Sequence, residues 1–481
     1  MSKESKSSSA LVMKFGGTSV GSPKAIEHII EIARKCRQEW SRIVIVTSAM
    51  AGVTNLLVES AERAIVGDEV FISKAEIELQ NKHYSIVEKL VPSSAERAQL
   101  KQEIKHLSME FANLCRAISI LGEATPRALD AVVSLGERLS VRLLAGILKS
   151  AGFPAQFVET TNIVVTDDCF QAAHPNLEET AKNVQNILIP MLMLKQIPVL
   201  TGFIGATKEG ITTTLGRGGG DYSAAIIGAA LPADEVWIWT DVSGVMTADP
   251  RIVEDARTIP ELNYREMAEL SYFGAKVLHP KAVRPVVEVG IPVRICNTFK
   301  PEDEGTRVTK NNEAAPKIKN GARGIVKAVT AIQDQRLITV EGRGMLGVPG
   351  VAARTFGAVA ATGTSVPLIT QASSEQSISF SVPNESAEAV LDSLHIAFAT
   401  ELARRDIDRV WATDEVAIIT AVGNGLQHTP GVAGQIFSAL GSADVNILAI
   451  AQGSSKVAIS LIVTAKDTEK AIHTLHQFIT G

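Results

Sequence analysis

From Leu11 the chain alternates short runs of β-branched and other apolar residues with longer stretches whose apolar positions recur every three or four residues. The first run ends at Gly16-Gly17-Thr18-Ser19, and a helix follows. Ser22 stands where it can cap that helix, Pro23 takes its first position, and Ile26, Ile29, Ile30 and Ala33 share one face. Ile43 to Thr47, Pro198 to Phe203 and Val236 to Thr240 read as further strands, with helical patterns over about 55–120 and from Val132 to Leu148. This βαβ alternation predicts an α/β fold over 11–300, a doubly wound and mainly parallel sheet.

A polar stretch from Lys300 to Lys319, carrying Pro301 and Pro316, breaks the pattern and reads as a linker over 301–320; residues 1–10 read as a disordered tail. Beyond the linker the sequence repeats itself at an offset of 81. Pro349-Gly350-Val351-Ala352 returns as Pro430-Gly431-Val432-Ala433, Phe356 as Phe437, Gln371 as Gln452, Ser374 as Ser455 and Ile378-Ser379 as Ile459-Ser460. Each copy, 321–413 and 414–481, reads as most of an α+β βαββαβ unit, a sheet covered on one face by two helices. The first is followed by a possible fourth strand at Arg409 to Ala412. The second has none, so the strand around 324–332 is expected to complete it and intertwine the two units.

Composition narrows the picture. A chain of 481 residues with 46% hydrophobic residues is too long for a single small module, and about 150 residues per domain suggests about three. A net charge of −5, 5% aromatics and no basic block argue against a nucleic-acid partner. Cys36, Cys115, Cys169 and Cys296 are scattered, with no C-x-x-C pair, which suits a reducing, cytoplasmic setting rather than a disulfide or thiolate–metal framework. The longest apolar stretch, Ile187 to Leu194, contains Pro190 and stops at Lys195, so neither a membrane span nor a signal peptide is expected.

Candidate chemistry concentrates in Gly-rich turns. Lys14-Phe15-Gly16-Gly17-Thr18-Ser19 sets a cation at a strand end before glycines whose amides can approach an anion; a tight βα turn with a snorkelling lysine would look the same. A Walker A motif is absent. The segment Thr212 to Ser223 packs three threonines, four glycines, Arg217 and Asp221 before an Ala-rich helix. Arg217 can pair a carboxylate through two hydrogen bonds and Asp221 can accept from an ammonium, unless the first merely lies on the surface and the second only caps the helix. Trp239 to Arg251 is a turn-rich loop after a strand, where Asp241 and Arg251 could hold nucleotide groups or simply stabilise the loop. In Phe273 to Pro280, Lys276 follows a glycine and His279 reads as a packed turn residue. Gly342-x-Gly344-x-x-Gly347 matches a dinucleotide fingerprint. Its repeat mate carries His428 in third place and the acidic partner is missing, so nicotinamide binding is not expected.

Taken with Ser48-Ala49-Met50-Ala51-Gly52-Val53-Thr54-Asn55 and Ser134-Leu135-Gly136-Glu137, these segments resemble the aspartate kinases of the amino-acid kinase family over nearly the whole chain; the duplicated C-terminal part resembles paired ACT domains. The resemblance implies transfer of the γ-phosphoryl of ATP to the side-chain carboxylate of L-aspartate, giving 4-phospho-L-aspartate, the first step towards lysine, threonine and methionine. Such an acceptor is ionised at pH 7, so charge neutralisation and alignment suffice without a general base. It further implies Lys14 and Asp221 as catalytic residues and Ser48, Thr54, Glu137, Phe203 and Arg217 as the aspartate site. Lys14, Gly16, Gly17, Thr240, Asp241, Met246, Arg251 and Lys276 would hold ATP, whose Mg²⁺ would arrive with the phosphates, with no tightly bound protein-ligated metal. Gln371 and Gln452 would bind a regulatory amino acid, threonine favoured over lysine, and the ACT-like units would join a homodimer or higher homo-oligomer. Two positions depart from the pattern: Met246 stands where relatives often carry Tyr, and Gly220 where they often carry Ser. Another acceptor, such as glutamate, or a non-catalytic amino-acid sensor are the competing readings.

Overall fold

The computed structural model describes residues 9–274, 278–310, 325–372, 375–426, 429–452 and 456–480. Lys276, Ser374, His428 and Ser455, the first eight residues and most of the expected linker lie outside them. The chain divides into two compact units.

The first unit takes in the chain up to Val245, with Pro260–Tyr264 and Val277–Asn312. Its eight-stranded sheet runs β3-β4-β2-β1-β7-β9-β10-β8. The strands are β1 (Ala10–Phe15), β2 (Arg42–Thr47), β3 (Ala155–Val158), β4 (Ile197–Thr201), β7 (Glu235–Thr240), β8 (Glu261–Asn263), β9 (Val293–Asn297) and β10 (Thr306–Thr309), and a hairpin of β5 (Ile204–Ala206) and β6 (Thr212–Thr214) stands apart. All neighbours are parallel except β9 and β10. The central strand β1 is covered on both faces, which is why it reads as a continuous apolar run rather than an alternating one.

Helix α1 (Pro23–Glu39) starts as expected, with the Ser22 hydroxyl accepting from the Ala25 amide at 3.2 Å. The helical pattern over 55–120 is three helices rather than one: α2 (Val53–Ile65), α3 (Glu69–Leu90) and α4 (Ser94–Leu121). The breaks are built locally, by Gly67 in the left-handed region with Asp68 capping α3, and by Pro92 with Ser93 capping α4. Helix α5 (Pro126–Ser150), capped by Thr125, runs through the middle of the main core, its buried Val132, Leu135, Leu139 and Leu143 packing with Leu57, Leu79 and Phe111. Shorter helices α6 (Leu177–Asn183) and α7 (Ile189–Met193) lead into β4, and α8 (Gly219–Ala230), α9 (Tyr264–Tyr272) and α10 (Pro280–Val289) follow β6, β8 and the turn before Pro280.

The second unit contains the chain from Glu313 and also Met246–Ile259 and Arg265–Lys276, so two segments from within 11–300 pack outside the first unit. Its antiparallel sheet runs β12-β13-β11-β14-β16-β15, from β11 (Ala328–Glu341), β12 (Ile369–Gln371), β13 (Ser377–Pro383), β14 (Arg409–Val422), β15 (Ala449–Ala451) and β16 (Ala458–Thr464). The two long strands serve both repeats. Ala328–Ile332 of β11 pairs with Ile418–Val422 beside β16, whereas Ile338–Glu341 pairs with Arg409–Ala412 and with β13. Helices α11 (Val351–Ala361), α12 (Ala387–Ala397) and α13 (Ala399–Arg404) belong to the first repeat, whose core holds Phe380, Phe398 and Val390. In the second, the core beneath α14 (Val432–Ser442) and α15 (Thr468–Thr480) contains Ile436, Ile419 and Ile472 together with Ala248 and Val253 from the inserted segment. Two polar contacts anchor the insertions: Thr247 to buried His476 at 2.9 Å, and Lys327 to buried Glu266 at 2.9 Å. The Gly342 and Gly344 positions of the nucleotide-like fingerprint lie against the Asp406–Asp408 backbone, where a Cβ would come within 2.5–2.6 Å, so close packing accounts for both glycines.

Candidate active site

At the carboxyl ends of β1, β2 and β4, where ligands bind in open parallel sheets, the first unit opens a cavity of about 710 Å³. Lys14, Gly17, Ser48, Thr54, Glu137, Phe203, Arg217, Gly218, Gly219, Gly220 and Asp221 line it. Every aspartate-site residue inferred from the sequence is therefore on one wall or another of a single cleft.

The glycines make the approach possible. A Cβ at Gly17 would sit 2.8 Å from the Ala49 carbonyl, and one at Gly220 would sit 2.7 Å from the Ser48 hydroxyl and 3.2 Å from Lys14 Cε. The bare residue at 220 thus leaves room for the Ser48 and Lys14 side chains. Helix α8 follows Gly218, which lies in the left-handed region with no side-chain cap; the Gly219 amide donates to the Gly216 carbonyl at 2.9 Å, and the first-turn amides of Gly220 and Asp221, both cavity-lining residues, have no backbone acceptor among the described residues. Asp221 lies in the first turn and is not the cap; its carboxylate contacts Lys14 Nζ at 2.6 Å. Phe203 takes a positive φ of 66°, its amide held by the buried Ser223 hydroxyl at 2.8 Å and its ring against Gly219.

Glu137 is the most unusual group. It is buried on α5, and one carboxylate oxygen accepts from the Ala49 amide at 3.2 Å while the other finds no hydrogen-bond partner. Burial pushes its carboxyl up to about 8, against smaller opposing effects from the Ala49 amide and Lys14. A buried carboxylate with an unused oxygen beside a cavity is prepared for a cationic donor.

Asp130, seven residues earlier on α5, also lines the cavity, but both of its oxygens already accept hydrogen bonds from the protein. Nothing in its sequence neighbourhood marks it out, because a single aspartate in a helical pattern looks like any solvated position.

The remaining sequence candidates are dispersed. Gly16 donates to the Trp239 carbonyl at 3.1 Å, which brings the turn after β1 beside the end of β7, where Thr240 donates to Asp241 at 3.2 Å; these three residues do not line the cavity. Met246 and Arg251 belong to the segment that packs in the second unit, Met246 accepting from Thr258 and Arg251 pairing Asp249 with its side chain 83% exposed. His279 caps α10 through its Nδ1, at 3.3 Å from the Lys281 amide, and packs against Gly218. Gln371 and Gln452 are exposed, the first at the end of edge strand β12 and the second directly after edge strand β15.

Residues 9–297 match the amino acid kinase family, and 338–398 and 419–478 each match an ACT domain. The chain belongs to the amino acid kinase family. Within it the relatives are aspartokinases. Lysine-sensitive aspartokinase 3 of Escherichia coli (strain K12) is 33% identical over 469 residues, 98% of this chain and 99% of that protein. The chloroplastic bifunctional aspartokinase/homoserine dehydrogenase 2 of Arabidopsis thaliana is 36% identical over 97% of this chain. This chain spans about half the length of that relative and of the other bifunctional ones. The crystal structure of E. coli aspartokinase III in complex with aspartate and ADP (R-state) superposes with a TM-score of 0.78 at 32% identity, covering 98% of this chain and all of that one. The lysine and aspartate complex of the same protein (T-state) gives 0.76 at 31% identity over the same share of each chain.

Proposed function

We propose that this aspartokinase-family chain transfers the γ-phosphoryl of ATP to the side-chain carboxylate of L-aspartate, giving 4-phospho-L-aspartate. The single observation that carries the reading is the grouping, around one cleft, of an unused buried carboxylate oxygen on Glu137, the Arg217 guanidinium and the Lys14–Asp221 pair. Glu137 and Asp221 accept from the substrate ammonium and Arg217 takes the α-carboxylate, which fixes both ends of the amino acid and leaves the β-carboxylate free to react. Ser48, Thr54 and Phe203 shape the pocket. Lys14, released in part from Asp221 as the ligands arrive, neutralises charge on the moving phosphoryl group, and the amides of Gly17 and of Gly220 and Asp221 in the first turn of α8 add oriented dipoles. No proton has to be removed from the acceptor.

Thr240, Asp241, Met246, Arg251 and Lys276 are proposed to hold ATP. Mg²⁺ is proposed to arrive with ATP, with no tightly bound protein-ligated metal. When bound with ATP, Mg²⁺ supplies charge neutralisation at the phosphates.

A cytoplasmic enzyme in the route to lysine, threonine and methionine follows from this reading, assembled as a homodimer or higher oligomer through the ACT-like units. No described helix is long and apolar enough to cross a membrane. Gln371 and Gln452 are proposed to bind the effector, with threonine favoured by the sequence pattern; the E. coli relative is named lysine-sensitive, so both amino acids belong in the test. The deciding assay traps the acyl phosphate with hydroxylamine under MgATP. Hydroxamate with aspartate, and not with glutamate or without acceptor, is expected. Hydroxamate with glutamate alone, or none with either, refutes the reading. Initial rates unchanged by millimolar threonine and millimolar lysine would refute the effector assignment.

A further inference from the structure

We propose that Asp130 is a positioning residue that sets the loop carrying Arg217, and hence the affinity for the acceptor; the proposal rests on the reading of the cleft given above. Helix α5 presents two carboxylates to the cavity two turns apart, and their states are opposite. Glu137 keeps an unused oxygen, whereas Asp130, 1% exposed, accepts from three donors: the Gln171 amide at 3.0 Å, the Thr214 amide at 2.9 Å and the Thr214 hydroxyl at 2.7 Å. An unfilled carboxylate awaits a ligand; a filled one holds protein parts together.

The parts held are Thr214, three residues before Arg217, and the Gln171 segment that packs against Gly216. Gln171 is kept at a positive φ of 69°, and the Ala173 amide donates to the Thr214 carbonyl at 2.9 Å. Gly216, two residues after Thr214, has φ of 74° and lies so close to the Gln171 carbonyl that a Cβ would be 3.0 Å from it. One carboxylate therefore ties the start of the turn before Arg217 to the segment packed against it. Losing the tie lets that turn shift, and a displaced guanidinium grips the α-carboxylate badly while the nucleotide side is untouched.

The test measures KM for aspartate and for ATP separately in the full-length protein, by coupled ADP release, with hydroxamate formation by the wild type as the reference. Asp130→Ala is expected to raise KM for aspartate by about tenfold or more, with KM for ATP and kcat within about threefold, as for misplacement of a substrate-positioning group. Asp130→Asn should recover most of the loss, because the amide oxygen still accepts from both backbone amides and its NH₂ can donate to the Thr214 hydroxyl. If Asp130→Ala fails to fold, Thr214→Val decides, with about a threefold rise in KM for aspartate alone, roughly one hydrogen bond's worth. Equal shifts in both KM values, or none, would overturn the role of Asp130 while leaving the kinase reading intact. A wild type that forms no hydroxamate would overturn the kinase reading itself.

Discussion

With Glu137 receiving the substrate ammonium, as proposed, aspartate binding becomes a proton-linked event. The Glu137 carboxyl is held up to about 8 by burial, so in the empty site at pH 7 roughly one molecule in ten carries the ionised form. An ammonium placed against its unused oxygen needs that form. Binding at pH 7 therefore carries a cost of about 1.4 kcal/mol for expelling the proton, about twice that at pH 6, and almost none above pH 8.5. KM for aspartate should fall about tenfold per unit between pH 6 and 7.5 and level off above 8, with KM for ATP flat across the same window. Glu137→Gln is nearly isosteric and cannot ionise. Its KM should be insensitive to pH, close to that of the wild type at pH 6 and at least about tenfold worse at pH 8.5. Steady-state ADP release at saturating MgATP, in buffers of constant ionic strength, reads both curves. A wild-type KM for aspartate that stays level from pH 6 to 8.5, or a variant that follows the same slope, refutes the assignment. Stability has the same origin. A carboxyl raised from 4.5 in the unfolded chain to about 8 in the fold weakens the fold as pH rises through that interval, so Glu137→Gln should gain in melting temperature relative to wild type as pH climbs from 5 to 8.5.

Lys14→Ala should lose about 10²- to 10³-fold in turnover at saturating ATP and aspartate, about 3 kcal/mol, as for removal of one preorganised charge-stabilising contact; near-normal kcat would take Lys14 out of the mechanism. Gly17→Ala must displace the Ala49 carbonyl, 2.8 Å from the new Cβ, and should cost about 1–3 kcal/mol in chemical denaturation, together with activity. His83 is fully buried with its Nδ1 on the Leu79 carbonyl at 2.7 Å, and burial pushes it down to about 4. Because the fold favours the neutral ring, this position gives stability above pH 6.5 that drains away as pH falls towards 4; His83→Leu should flatten that part of the pH–stability curve, and an unchanged curve would refute it.

The cleft was legible because its chemistry is written in short, dense segments. Thr212 to Ser223 combines glycines, a guanidinium and a carboxylate that no apolar core would tolerate, and the fold places Arg217 and Asp221 on the same cavity as Lys14. The shared long strands were likewise foreshadowed by the repeat at an offset of 81 and by the strand read around 324–332, upstream of the first copy. What local pattern could not carry is long-range. Asp130 reveals its part only through donors 41 and 84 residues away, and Met246–Ile259 looks like a continuation of its loop until Ala248 and Val253 are found in a core with Ile436 and Ile472. The breaks near Gly67 and Ser93 were passed over for another reason: helical pattern resumes directly after each, although Gly67 and Pro92 interrupt the chain there and the Asp68 and Ser93 caps start new helices.

Strands β11 and β14 each lend one half to either repeat, so the duplicated modules resemble two hands with fingers laced rather than beads on a string. Neither can be snipped out or swapped for a foreign counterpart on its own. A chimera that replaced residues 414–481 alone would leave Ala328–Ile332 searching for a neighbour it was never matched to. Any redesign of this half must therefore proceed by point changes within the pair, or by transplanting both together.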